Sequence, residues 1–149
     1  MEIKIKAMSP RMGRDFPLPR YATEGAAAMD LCACLEEPVT LEPGQRQAIP
    51  SGIAIELPSA DYVALVFVRS GLGFKKGLCL CNGVGVIDSD YRGEIGVGLV
   101  NLGQEAYTIQ PGDRIAQLMV LPVSRPVPVL AEELDETERG RGGFGSTGR

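Results

Sequence analysis

One pattern occurs twice in this chain and limits its fold more than any other: an apolar run, a Pro-Gly pair between polar residues, and a second apolar run. It gives VTLEPGQRQAI from residue 39 and YTIQPGDRIAQLMVLPV from residue 107. Proline at the second position of a turn and glycine at the third position favour a type II turn. Each stretch therefore predicts a β-hairpin.

The segments between these two stretches also have the character of strands. YVALVFV and EIGVGLVNL are short, rich in Val, Ile and Leu, and bounded by polar residues or glycine. No segment carries an extended helical stripe, and SGLGFKK is long enough for about two helical turns. A chain of 149 residues with 19 glycines and 11 prolines is therefore predicted to form a single all-β domain with many turns.

The charge balance excludes some classes of function. Lys and Arg total 15 against 19 Asp and Glu, giving a net charge of -4, whereas a general nucleic-acid binder works through a broad basic face. The chain has no histidine, so acid–base chemistry near neutral pH falls to carboxylates. No stretch approaches the ~20 apolar residues of a membrane span, and the N-terminus lacks a signal-peptide pattern. We predict a cytoplasmic protein that binds neither nucleic acid nor membrane.

The four cysteines form two pairs with one-residue spacers, CAC at 32–34 and CLC at 79–81. Zinc sites use two-residue spacers or histidine partners, whereas a one-residue spacer in a strand places both thiols on one face. Free cysteine is among the most buried residue types, and disulfides are rare in cytosolic proteins. The pairs therefore predict buried, reduced thiols in strands.

The stretch VRSGLGFKKG contains Arg69 and Ser70 directly before the short helical segment. A guanidinium, a hydroxyl and free backbone N–H groups at a helix start form an anion site. A serine that caps the helix, beside a solvated arginine, explains the same residues.

The stretch NGVGVIDSDYRGEIG, residues 82–96, has apolar flanks around a polar tip that contains Asp88 and Tyr91. One interpretation is a turn in which Asp-Ser-Asp satisfies its own backbone. The other is a carboxylate base beside an aromatic platform. The spacing alone fits both.

The sequence changes in character after Pro122. RPVPVL alternates proline with valine and favours an extended arm, AEELDETE is an acidic spacer, and RGRGGFGSTGR from residue 139 is rich in glycine and arginine. We predict a core domain at 1–130 and a flexible tail at 131–149.

The tail has the residue types of a nucleotide-binding segment. Glycines let backbone N–H groups approach phosphate, and Phe144 can stack on a base. An RNA-binding end is the alternative, although the acidic spacer would repel a phosphate backbone.

Read in order, five stretches resemble the five ordered motifs of the trimeric dUTP pyrophosphatases, or dUTPases. They are AAMDL (27–31), RSGLGFKKG (69–77), GVIDSDYRGEI (85–95), GDRIAQL (112–118) and RGRGGFGSTG (139–148). The resemblance implies a distorted jelly-roll-like (β-clip) subunit in a homotrimer that exchanges C-terminal arms and shares active sites. It also implies Mg²⁺-dependent hydrolysis of dUTP to dUMP and pyrophosphate through attack of water on the α-phosphorus. This reaction keeps uracil out of DNA and supplies dUMP for thymidylate synthesis.

The resemblance also implies a role for each site residue. Asp88 would orient and deprotonate the attacking water, and Asp30 would hold waters on the Mg²⁺. Tyr91 would lie against the deoxyribose and exclude a 2′-hydroxyl. The phosphates would be bound by Arg69, Ser70, Gly71, Gln117, Arg139, Gly145, Ser146 and Thr147. Uracil would be read by backbone groups around Asn82, Gly85, Val86, Ile87 and Gly96, with Phe144 stacked on it.

Two other functions remain open on the sequence. The chain could be a trimeric nucleotide-binding module that has lost turnover, although both aspartates and the tail motif are present. It could also resemble the dCTP deaminases, which share this fold and use a glutamate near the base. Release of ammonia from dCTP would identify the second.

Overall fold

A computed structural model describes residues 1–143 of the 149-residue chain. Eleven strands and one short helix are found in this part. The strands are β1 (Lys4–Ala7), β2 (Met29–Cys32), β3 (Val39–Leu41), β4 (Arg46–Pro50), β5 (Ile53–Glu56), β6 (Tyr62–Val68), β7 (Leu78–Leu80), β8 (Gly85–Ile87), β9 (Gly96–Asn101), β10 (Tyr107–Ile109) and β11 (Arg114–Pro122). The helix α1 is Ser70–Lys76, as the sequence predicts.

The strands form four antiparallel sheets around one core. A four-stranded sheet has the order β2-β11-β6-β8 and a three-stranded sheet the order β4-β9-β7, while β1 pairs with β5 and β3 with β10. The inner faces of the larger sheets meet in one hydrophobic cluster that includes Leu31, Leu118, Ile49 and Leu99. The all-β prediction is confirmed.

The two Pro-Gly turns form as predicted, but the hairpins do not. Gly44 has φ 81° and Gly112 has φ 85°, the left-handed conformation that a type II turn requires at its third position. However, β3 pairs with β10, whereas β4 pairs with β9 and β11 pairs with β2 and β6. The hairpin prediction was wrong because each turn leads out of one sheet into another.

The pairing of β3 with β10 has a clear physical basis. The hydroxyls of Thr40 and Thr108 are hydrogen-bonded at 2.8 Å on the outer side, and Leu41 and Ile109 are buried on the inner side. Asn101 is also fully buried beside this pair. Its side-chain amide donates to the carbonyls of Leu41 and Glu105, and its carbonyl accepts from the amide of Gly103.

Segment 82–96 is a loop between strands that belong to different sheets. β8 pairs with β6, and β9 pairs with β4 and β7. The strands on either side of this segment therefore do not pair with each other as a hairpin. The polar tip therefore lies in the connection between the two sheets.

The cysteines are all free, but only one of them is buried. Cys32 is buried, Cys34 and Cys79 are half-buried, and Cys81 is exposed. β2 ends at Cys32 and β7 ends at Leu80, so Cys34 and Cys81 lie outside the strands. The prediction of buried thiols in strands is confirmed for Cys32 and wrong for Cys34 and Cys81, while Cys79 lies in β7 but is half-buried.

Regular structure in the described part ends at Pro122, where β11 ends. Residues 123–143 run without a strand or helix and are almost entirely exposed. Val127 and Leu130 are 83% and 101% exposed, so this arm leaves apolar side chains without contacts in the single chain. The domain boundary at residue 130 stays a prediction. No helix within residues 1–143 has the length and apolarity needed to cross a membrane.

Candidate active site

Asp30 is the centre of a charged cluster at one end of the four-stranded sheet. Its carboxylate accepts from Arg114 at 2.9 Å and forms an ion pair with Arg69 at 3.3 Å. The Gln117 amide approaches the same carboxylate at 3.4 Å. The Asp30 side chain is only 12% exposed, so these contacts hold it in one orientation. The sequence-predicted residues Asp30, Arg69 and Gln117 are thus brought together.

Arg114 is a member of this cluster that the sequence analysis missed. A β-bulge interrupts the pairing of β11 with β2, so that Arg114 lies opposite Cys32 and Ala116 lies opposite Leu31. Because a bulge adds one residue to a strand, it turns the next side chain to the other face. Arg114 therefore points towards Asp30, while Ile115 is buried. Strand alternation alone would have placed the Arg114 side chain on the same buried face as Ala116 and Leu118.

The start of α1 lies beside this cluster. The N-cap is Arg69, and no side chain caps the helix, so the alternative interpretation of Ser70 as a helix cap was wrong. The first turn carries no acidic residue. The amides of Leu72 and Gly73 donate to the carbonyl of Arg69. The amides of Ser70 and Gly71, which come before them in the first turn, have no partner among residues 1–143. Positive charge and two free N–H groups at one edge can bind a phosphate.

The electrostatics of the cluster extend to the neighbouring thiol. Burial raises the pKa of the Cys32 thiol, and the charge of Asp30 raises it further. Arg114 and Arg69 act in the opposite direction but do not reverse the shift. Cys32 is therefore protonated at neutral pH.

A second group of predicted residues lies around the loop between β8 and β9. They line a cavity of about 170 Å³, formed by Val86, Ile87, Asp88, Tyr91, Glu94, Ile95 and Gly96. Gly85 lies just below, packed against Val66, with the Asn82 amide near it. The lining residues are mostly apolar, together with two acidic residues, Asp88 and Glu94, and one aromatic residue, Tyr91. This arrangement suits a flat heterocycle with a polar edge.

The carboxylate of Asp88 is not used to hold the loop. The turn is closed by the Tyr91 amide, which donates to the Asp88 carbonyl at 3.1 Å, and by Arg92, which donates to the Ser89 and Tyr91 carbonyls. Asp88 is exposed, and its carboxylate accepts no hydrogen bond from the described residues. Of the two interpretations of Asp88, the uncommitted carboxylate favours the chemical one.

The charged cluster and the cavity are far apart within one chain. Ile87 lies opposite Ala64 on β6, whereas Gln117 lies opposite Phe67. Asp88 is therefore four residues from the level of Gln117 along the sheet, or about 13 Å, and two strand spacings across it, or about 10 Å. The backbone positions of Asp88 and Gln117 are thus about 16 Å apart, and Arg69 lies further still from Asp88.

The surface between them is apolar. Leu65, Phe67 and Met119 alternate with buried residues of β6 and β11 and are only half-buried in the single chain. A larger cavity of about 580 Å³ opens at the Asp88 end, beside Tyr62 and Arg125. An apolar sheet face of this kind is typical of an interface between subunits.

The tail residues are the last part of the predicted site. Arg139 is exposed, and Gly142 donates to its carbonyl in a turn. Phe144, Gly145, Ser146 and Thr147 lie outside the described residues.

Comparison with known proteins gives a consistent result over nearly the whole chain. The family model described as dUTPase matches residues 14–148. The chain is 53% identical over 148 residues to the deoxyuridine 5'-triphosphate nucleotidohydrolase of Idiomarina loihiensis, covering 99% of this chain and 98% of that protein. It is 57% identical over 146 residues to the protein of the same name from Desulfitobacterium hafniense, covering 98% and 97%.

The fold agrees with solved structures. A mutant dUTPase of Staphylococcus bacteriophage 80alpha, solved with dUpNHpp, has a TM-score of 0.86 and 27% identity, with 99% of both chains covered. A mutant dUTPase from phage phi11 of S. aureus, whose structure reveals the coordination of a structural Mg(II) ion, has a TM-score of 0.78 at 23% identity, covering 91% of this chain and 100% of that chain. The second similarity supports the fold alone.

Proposed function

This chain belongs to the dUTPase family and hydrolyses dUTP to dUMP and pyrophosphate, and we propose that it does so at active sites shared between the subunits of a homotrimer. The observation that carries the proposal is the separation of the charged cluster around Asp30 from the cavity beside Asp88. An attacking water must touch both its base and the α-phosphorus. With backbone positions about 16 Å apart, one chain does not bring Asp88 and the phosphate-binding cluster to the same water.

A second subunit removes the gap. If the Asp88 loop of one chain lies against the charged cluster of the next chain, base and phosphates meet at the interface. The half-buried apolar side chains around Leu65 and Met119 supply the surface that such an interface would bury. Three such contacts close a ring, because a head-to-tail interface with a three-fold rotation generates a trimer.

Each group has a distinct task in this proposal. Asp88 takes the proton of the water, since its carboxylate is free of other partners. Arg69, Gln117 and the amides of Ser70 and Gly71 bind phosphate oxygens, where charge-assisted bonds are strongest. To do so, Arg69 exchanges its contact with Asp30 for a contact with phosphate.

The residues around Asp30 fit a role for Mg²⁺. Magnesium keeps several waters and is held by one or two carboxylates plus substrate phosphates. Asp30 is a single carboxylate, and among the described residues its Oδ2 contacts only Arg114, so this oxygen retains a lone pair that can accept a hydrogen bond from a metal-bound water. Mg²⁺ would neutralise charge on the triphosphate and fix its shape.

The base and sugar are read at the cavity. Backbone groups of Gly85, Val86, Ile87 and Gly96, with Asn82 beside them, would hydrogen-bond the edge of uracil, and a tight wall would reject the methyl group of thymine. Tyr91 would lie against the deoxyribose and exclude a 2′-hydroxyl.

The tail completes the site from another subunit. The arm beyond Pro122 is exposed over its described length and leaves Val127 and Leu130 without contacts, so a neighbouring subunit is a reasonable place for it to be ordered. Arg139, Gly145, Ser146 and Thr147 would then close on the γ-phosphate and Phe144 on the uracil. A division at residue 130 follows from this role.

We further propose a cytoplasmic location. All four cysteines are free, which fits a reducing compartment. The substrate, a nucleoside triphosphate, is made and used there.

The experiment compares dUTP, dTTP, dCTP and UTP, each incubated with Mg²⁺ and the protein, with measurement of pyrophosphate, monophosphate and ammonia. In water enriched in ¹⁸O, the label should enter dUMP, because water attacks the α-phosphorus. Comparable kcat/KM for dTTP, or label in pyrophosphate, would refute the proposed mechanism. Ammonia from dCTP would indicate a deaminase, and absence of turnover with intact binding would indicate a silent module.

A further inference from the structure

Glu94 makes two hydrogen bonds, one to the protein core and one within the active-site loop. Its side-chain carboxylate accepts a hydrogen bond from the backbone amide of Gly52 at 2.7 Å. Its backbone carbonyl accepts from the hydroxyl of Tyr91 at 2.9 Å. One residue therefore lies between a fixed point of the core and the aromatic ring at the cavity edge.

The core side of this connection is rigid. Gly52 is buried with φ 73°, and a Cβ there would lie 2.7 Å from the side chains of Met12 and Cys34. Its carbonyl accepts from the amide of Met8 at 2.8 Å. Gly52 is thus held on both sides and cannot follow movements of the loop.

The backbone next to Glu94 is held by a ladder that stops one residue short of it. Ser51 donates to the carbonyl of Ile95, and Ile95 donates to the carbonyl of Ile53, at 3.1 and 2.9 Å. The bond from Gly52 to the Glu94 carboxylate extends this support to the residue whose carbonyl holds Tyr91.

The Tyr91 side of the connection is equally specific. The ring folds back over Gly93, where a Cβ would collide with the Tyr91 hydroxyl and lie 2.6 Å from its ring carbon Cζ. The ring is 45% exposed, so packing alone does not fix its angle. The hydroxyl bond to Glu94 does.

We propose that Glu94 is a positioning residue that fixes the Tyr91 ring through Gly52 and thereby sets the selectivity for deoxyribose over ribose. The inference rests on the proposed role of Tyr91 in excluding a 2′-hydroxyl. Glu94 itself touches neither phosphate nor the attacking water. Because steric exclusion depends on a wall that does not move, loosening the ring lets a ribonucleotide enter.

The experiment measures kcat/KM for dUTP and for UTP in the trimeric enzyme. Glu94→Ala removes the bond to Gly52 and should lower the dUTP-to-UTP ratio about five- to ten-fold, the usual worth of one hydrogen bond. Glu94→Gln keeps an oxygen acceptor and should restore the ratio to within about three-fold of wild type. Glu37→Ala, which removes an exposed glutamate carboxylate elsewhere, is the matched control and should leave the ratio unchanged.

A double-mutant cycle separates positioning from a general loss of stability. Tyr91→Phe removes the hydroxyl, so it should lower the ratio by a similar factor, and Glu94→Ala should add little to it. Unchanged selectivity in Glu94→Ala, or full additivity with Tyr91→Phe, would overturn the inference. If wild-type protein hydrolyses UTP as fast as dUTP, the proposed sugar reading fails instead, independently of Glu94.

Discussion

Replacing Asp88 with asparagine should lower turnover strongly while leaving the fold intact. The side chain is exposed and its carboxylate accepts no hydrogen bond within residues 1–143, so the free energy of unfolding should change by less than about 0.5 kcal/mol. Asparagine has the same shape but cannot take a proton. Loss of a general base lowers kcat by roughly 10²–10⁴-fold, which corresponds to about 2.7–5.5 kcal/mol of activation free energy.

The assay combines three measurements on Asp88→Asn and wild type. They are kcat at saturating dUTP and Mg²⁺, the Kd for the non-hydrolysable analogue dUpNHpp, and the thermal midpoint Tm without ligand. We expect a large fall in kcat with Kd and Tm close to wild type. Turnover within a few-fold of wild type would refute the role of Asp88 as base, and a large fall in Tm would show that it is a structural turn residue.

Three further predictions concern single residues. Phe144→Ala should weaken binding of dUpNHpp by about 1–3 kcal/mol, the worth of a base–aromatic stack, with an unchanged Tm in the absence of ligand. Asn101→Ala should destabilise the fold by about 3–5 kcal/mol, seen as a lower denaturation midpoint, because it strands the buried backbone groups that Asn101 satisfies. Cys32 should resist thiol reagents at neutral pH until the protein is unfolded, because burial and Asp30 raise its pKa, and mass mapping of the labelled thiols checks this.

The local chemistry of the fold could be predicted from the sequence more readily than its pairing. Pro-Gly at 43–44 and 111–112 specifies the turns through the glycine conformation alone. Which strands then pair depends on side chains distant in sequence, such as Thr40 and Thr108, and no local pattern encodes that contact. The turns were therefore predicted correctly, whereas the predicted hairpin pairing was wrong.

The site residues likewise divide into those that the sequence identifies and those that only the structure reveals. Residues with distinctive chemistry in recognisable motifs, such as Asp30 and Arg69, could be identified from the sequence alone. Arg114 could not, because a bulge reverses the side it faces. Glu94 was missed because its carboxylate acts on a backbone amide 42 residues away. The distance between the two halves of the site also follows from sheet register, which the sequence does not display.

The shared active site can be tested most directly by mixing two inactive variants. Asp88→Asn keeps the charged cluster and Arg69→Gln keeps the base, and each alone should be nearly inactive. When equal amounts are unfolded and refolded together, about one site in four should combine an intact Asp88 from one chain with an intact Arg69 from another. The account predicts recovery of about one quarter of wild-type activity. If the mixture stays as inactive as its parents while native mass measurement confirms mixed trimers, base and phosphate cluster act within one chain and the account is wrong.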